Sequence, residues 1–344
     1  MTAKTKTEAK TLGDWAALAI KKHFEKVLKH EDDVLADRDP EALHQMRVGM
    51  RRLRSTMTGF SPALDLPKSA QERKIGKVAR QLGTLRDLDV LREALEKKYQ
   101  PLPQKEQKQL DTALKHLDKQ RSKALALVKE TLQGDRYSSL KQSLKKWLKQ
   151  PQFHAMASMP IQEVLPDLLL PQVSKLLLHP GWLVGTEVKA GEIEIARSLL
   201  PEIVKQQLAE QGELLHSLRK ETKRVRYQME VFKNFYGTTY EAYLTDMKSI
   251  QEVLGQIHDS VVLSEFITDV LQSDVKDSLP TLADSLTKND YQAWQHWQTL
   301  QQRYLMLEIR KDFHKAILQP AWGNNSDGYS REPELTRSQE NGGG

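Results

Sequence analysis

Apolar residues recur along the chain at the three- and four-residue spacing of amphipathic helices, and no run of alternating β-branched residues predicts a strand. The stretches between breaks are rich in Leu, Lys, Glu, Gln and Ala, all good helix formers. Breaks are expected at Pro40, Pro62, Pro67, Pro101, Pro103, Pro151, Pro160, Pro180–Gly181, Gly212, Gly237, Pro280 and Pro320. The pattern predicts an all-α protein of about ten helices. The last segment, 321–344, is polar and Gly-rich and is expected to be a disordered tail.

The apolar pattern repeats. Leu43-His44-Gln45-Met46-Arg47 returns as Leu215-His216-Ser217-Leu218-Arg219, an offset of 172 residues. The same offset places Arg51, Arg52 and Arg54 on Lys223, Arg224 and Arg226, and Phe60 on Phe232. Without a gap it also places Leu82-Gly83 on Leu254-Gly255, Asp87 on Asp259 and Val90-Leu91 on Val262-Leu263. Two separated blocks sharing one offset, itself half of 344 residues, indicate a duplicated helical unit. Two helical bundles related by a pseudo-two-fold axis are expected, with the halves spanning 1–165 and 166–320.

On a helix of about 100° per residue with His44 at zero, Arg51, Arg47 and Arg54 lie near −20°, −60° and −80°. Arg52 stands apart, near +80°. Leu43, Met46, Met50, Leu53, Met57 and Phe60 occupy the remaining arc, so one face packs on a core and the other is basic. His216, Arg219, Lys220, Lys223, Arg224 and Arg226 repeat the basic arc in the second copy.

Charge is concentrated in these two segments. Residues 43–64 hold four Arg and no acid, and 215–233 hold six Lys or Arg with two Glu, so each is +4 in a chain of net charge +6. A solvated face ordinarily mixes signs. Unpaired cations on adjacent turns repel one another and call for an anion. Gly83 and Gly255 inside helical patterns are expected where another helix comes close, with Asp87 and Asp259 on the same face as buried partners orienting the arginines. Lys77, Arg80 and Arg86 are weaker candidates for the anion-facing surface.

Other chemistry finds little support. Cysteine is absent, which excludes disulfides, thiolate metal sites and Cys nucleophiles, and no apolar run reaches membrane-spanning length. The Lys-rich start, Met1 to Lys10, does not read as a secretory signal, and a cytoplasmic location is expected. Neither His44 nor His216 has a His or carboxylate three or four residues on, so no metal site is expected. A phosphohydrolase would need clustered acids or a Gly-rich phosphate loop; Asp87 and Asp89 point about 200° apart on a helix. Nucleic-acid binding is the stronger rival, although aromatic residues make up only 6% of the chain and supply no stacking platform in either arc.

LHQMRVGMRRLRSTMTGF with LGTLRDLDVL, and LHSLRKETKRVRYQMEVF with LGQIHDSVVL, resemble the conserved histidine α-helical domain, or CHAD, family. The resemblance covers roughly residues 10–318. It implies two bundles around a central basic pore that binds inorganic polyphosphate without catalysis or a cofactor. The pore-lining residues it implies are His44, Arg47, Arg51, Arg52, Arg54, His216, Arg219, Lys223, Arg224 and Arg226. Some relatives associate with polyphosphate granules, which makes granule proteins candidate partners. Others carry a triphosphate-processing CYTH domain; no such pattern is found here, and a stand-alone module is expected. Two departures stand out: His258 replaces the basic residue at Arg86, and Lys223 replaces Arg51, keeping charge but losing the bidentate fork.

Overall fold

The computed structural model describes residues 9–196 and 199–321, the side chains of Val188 and Glu192 apart. Thr11 and Asp14 exchange side-chain-to-backbone hydrogen bonds of 3.2 and 3.1 Å, a capping box that opens α1 (Leu12–Lys29). After the short α2 (Glu31–Ala36), Asp39 caps α3 (Pro40–Gly59) by accepting from the Glu41 backbone at 2.8 Å. Pro40 supplies the fixed φ of a first helical turn. The first half continues through α4 (Glu72–Tyr99), α5 (Gln104–Gln133) and α6 (Asp135–Lys149).

The second half runs through α7 (Ile161–Leu177), α8 (Pro201–Phe232), α9 (Thr238–Leu271), the single turn α10 (Val275–Ser278), α11 (Pro280–Leu305) and α12 (Leu307–Leu318). The fold is all-α, with eleven described helices of six residues or more. Shifting α3 by 172 residues gives 212–231, inside α8, and α4 gives 244–271, inside α9. The same shift lays α5 over α11 and α6 over α12. The repeat seen in two motifs therefore extends over four helix pairs.

Packing follows the same order. α1 lies on α3, α3 on α4 and α4 on α5, while α7 lies on α8, α8 on α9 and α9 on α11. The halves join chiefly where α3 meets α8 and α5 meets α9, with a smaller contact of α1 on α7. At the first junction the equivalent residues Phe60 and Phe232 meet edge to face at 5.1 Å, and Gln228 Nε2 donates to the Ser55 carbonyl at 3.1 Å. At the second, Leu95, Leu110 and Leu117 share a buried cluster with Leu263, Ile267 and Leu282. Buried Glu106 of α5 also accepts from the Thr281 and Leu282 backbones at 3.1 and 3.3 Å, capping α11 across the halves.

The structure corrects two expectations. A two-stranded hairpin is present, β1 (Thr186–Lys189) paired antiparallel with β2 (Glu192–Ile195), turning through Ala190 and Gly191 at φ 51° and 84°. Positive φ at both turn residues suits the right-handed twist of a two-residue hairpin loop. Gly212 is not a break, because α8 starts eleven residues upstream of it. The division at 165/166 falls inside α7, which packs on α8 and α12. The tail expected at 321–344 lies outside the described residues except for Ala321, whose N–H donates to the Phe235 carbonyl at 2.8 Å.

Because Phe232 is buried at the α3–α8 junction, Phe232→Ala should lower the unfolding free energy by about 3–5 kcal/mol through cavity formation. Denaturant unfolding followed by far-UV circular dichroism measures this.

Candidate functional site

Apolar anchoring sets the orientation of the basic arcs. Met46, Met50, Leu53 and Met57 of α3 are buried, as are Leu215, Leu218, Val225 and Met229 of α8. Arg47 then reaches α4, where its Nη2 donates to Asp87 Oδ1 at 3.1 Å. In the second half, Arg219 Nη2 lies 3.9 Å from Asp259 Oδ1 on α9. An Arg–Asp pair thus stands at equivalent positions in both copies, hydrogen-bonded in the first and longer in the second.

Their setting differs from expectation in two ways. Both carboxylates are solvent-accessible, at 68% side-chain exposure each, and are not buried. The glycines make room for a side chain and not for a helix backbone. A Cβ on Gly83 would stand 3.7 Å from Arg47 Nε, and one on Gly255 would stand 3.3 Å from Arg219 Nε. The small residue makes a tight fit possible at Gly255, whereas a Cβ on Gly83 would meet Arg47 at ordinary van der Waals distance.

The two arcs converge. Burial, then Arg219, Arg47 and Arg51, bring the Lys223 ammonium down to about 8, with Asp87 acting in the opposite direction. Two of those three arginines belong to the other half. Arg51 is itself held below its ordinary value, first by burial, with Arg226 and Arg47 adding to the effect. Its guanidinium carbon lies 4.3 Å from the Tyr227 ring centroid, and that of Arg226 lies 4.4 Å from the same ring. Asp259 is raised by the surrounding protein and by Asp87, against Arg219.

Three nitrogens in this cluster, Arg51 Nε, Arg219 Nε and His216 Nδ1, are buried without a hydrogen-bond partner. His216 and His258 stack at 3.8 Å between centroids and tilt by 34°. Both are held below the ordinary imidazole value, chiefly by burial and then by neighbouring cations. In the first half the equivalent of His258 is Arg86, and burial also lowers His44.

Other sequence candidates stand elsewhere or have their own acids. Arg54 Nε donates to Glu72 at 2.6 Å, and Arg226 is shared between Gln251 at 2.9 Å and Glu230. Arg86 pairs with Glu93 at 2.8 Å. Arg224 pairs with Glu221 at 2.6 Å on the side facing Lys175 of α7, away from the cluster. Arg52 lies on the side of α3 facing Lys26 and His23 of α1. Lys77, Arg80 and Lys220 are exposed. Asp89, two residues from Asp87, is buried and bonded to Arg121 at 2.8 Å, so the pair does not act together. Among the described residues no three His, Asp or Glu side chains are grouped to hold a metal.

Residues 18–268 match the CHAD domain family, well over half of the chain. The chain belongs to the CHAD domain family. This CHAD domain is similar in fold to the crystal structure of the CHAD domain from the plant Ricinus communis. That match has 21% identity and a TM-score of 0.53, covering 92% of this chain and 94% of that one. It is also similar in fold to PptA from Streptomyces chartreusis at 15% identity and a TM-score of 0.58, over 86% of this chain and all of that one. No curated protein matches it. No helix among its described residues is long and apolar enough to cross a membrane.

The residue that sequence reasoning left outside this CHAD site is Tyr227. An aromatic between basic residues on α8 was visible, but its contact with Arg51 of the other half was not.

Holding Lys223 charged below its ordinary value costs stability. The unfolded chain binds more protons than the folded one between about pH 8 and pH 10.5, so this contribution rises with pH across that window. Lys223→Met should therefore raise the unfolding free energy at neutral pH by about 1–3 kcal/mol, the gain shrinking toward about pH 10. Urea unfolding at both pH values checks it.

Proposed function

We propose that this protein is a non-catalytic binder of inorganic polyphosphate, held between the basic faces of α3 and α8 in a central recess. Membership of a family linked in general to polyphosphate binding supports the reading. The single observation that carries it is the convergence of Arg47 and Arg51 from one half with Arg219 and Lys223 from the other. The carboxylates nearest that cluster, Asp87 and Asp259, are both open to water.

Polyphosphate is a thin, flexible chain with about one negative charge per phosphate and no bases, so a lining of cations without stacking platforms suits it. Arginine forks grip phosphate oxygens two at a time. Their placement on rigid helices reduces the ordering needed on binding. His44, Arg47, Arg51, His216, Arg219, Lys223 and Arg226 form the inner lining, with Arg54 beside it and Lys220 at the rim. A polyphosphate granule in the cytoplasm is the destination this reading assigns.

The double substitution Arg51→Glu with Lys223→Glu should weaken long-chain polyphosphate binding by at least about a hundredfold while helix content is retained. Calorimetric titration measures it, with duplex and single-stranded DNA of matched charge as controls at two salt concentrations. Binding to polyphosphate that persists at the higher salt, with DNA binding lost, is the expected result. Equal affinity for all three polymers, lost together with salt, would contradict a dedicated site.

A further inference from the structure

The duplication supplies an internal comparison on the outer side of the basic helices. In the second half, Arg224 is neutralised in place. Glu221 Oε2 lies 2.6 Å from its Nη1 and 3.5 Å from Lys175 Nζ, and the Glu221 side chain is only 9% exposed. In the first half the residue equivalent to Arg224 is Arg52, and the residue equivalent to Glu221 is Gly49. A Cβ on Gly49 would stand 3.0 Å from Val27 Cγ2 and 3.5 Å from Lys26 Cγ. Helix α1 therefore occupies the place of the missing carboxylate and brings a second cation toward Arg52.

Arg52 is exposed and makes no ion pair among the described residues. It is the strongest charge acting on both Lys26 and His23, each already held below its ordinary value by burial. His23 falls to about 4, so its ring is neutral at pH 7 and offers a hydrogen bond without adding repulsion. Glu41 is the carboxylate in range of Lys26, and its influence is weaker than that of Arg52. Arg51 of the inner cluster also acts on Lys26, so the two groups of cations adjoin across one turn of α3.

We infer that Arg52, Lys26 and His23 form a second, outer phosphate site over which a long polyphosphate chain continues after leaving the inner cluster. The inference rests on the polyphosphate reading and adds a length dependence to it. A short chain fills the inner cluster alone, whereas a long one engages both. The second half has no counterpart, so the exit is one-sided.

The test compares tripolyphosphate with long-chain polyphosphate on the full chain carrying Arg52→Ala and Lys26→Ala. Long-chain affinity should fall about tenfold and its salt dependence should become shallower, while tripolyphosphate affinity stays unchanged. Arg52→Lys in the otherwise native chain should retain most long-chain affinity. Long-chain affinity unaffected by the double substitution would overturn the outer site. An equal loss for both chain lengths would overturn it too, by showing that Arg52 acts through the inner cluster. Failure of the native protein to bind either length would overturn the polyphosphate reading itself.

Discussion

Like-charge crowding between the basic faces of α3 and α8 is the constraint from which the rest of the site follows. Apolar faces on α3 and α8 are committed to the core, which fixes the rotation of both helices and turns their basic arcs toward each other. Lys223 records the result most clearly, since three arginines and burial together bring its ammonium down to about 8. A fold pays for such an arrangement elsewhere, here through the shared aromatic contact of Phe60 and Phe232 and the common apolar cluster at the ends of α5 and α9.

Local devices keep the crowded cations in place without neutralising them fully. Arg47 lies over Gly83 with Asp87 at its tip, and Arg219 repeats this over Gly255 with Asp259. Because both carboxylates are exposed, each pair is worth only about 0–1 kcal/mol. On the proposed reading, a phosphate that replaced either carboxylate at its guanidinium would therefore meet little opposition from the pair. Tyr227 serves a different need: its ring attracts the guanidinium groups of both Arg51 and Arg226, which repel each other.

Much of this was legible in the chain. One offset of 172 residues located the two basic helices, the glycines and their aspartates, and the structure extends it to four helix pairs. Side-chain periodicity separated Arg52 from Arg47, Arg51 and Arg54 by angle, and Arg52 does lie on another side of α3. Periodicity carries no information about partners from distant segments. It could not show that the Gly83 gap is filled by an arginine, that Glu72 bonds Arg54, or that Arg51 crosses to Tyr227. The hairpin was missed for another reason: its two strands have four residues each, too short for alternation to stand out in a helical background.

The most direct test of a single polyanion held jointly by both halves is proton uptake on binding. Lys223 sits among arginines of both halves and is about half protonated near pH 8. A polyphosphate chain beside it would restore its full charge. Calorimetric titration with long-chain polyphosphate near pH 8, in two buffers of different ionisation enthalpy, should show uptake of about half a proton, absent in Lys223→Met. Binding with no net proton uptake, or with uptake unchanged in Lys223→Met, would contradict the account by placing the polyanion away from the junction.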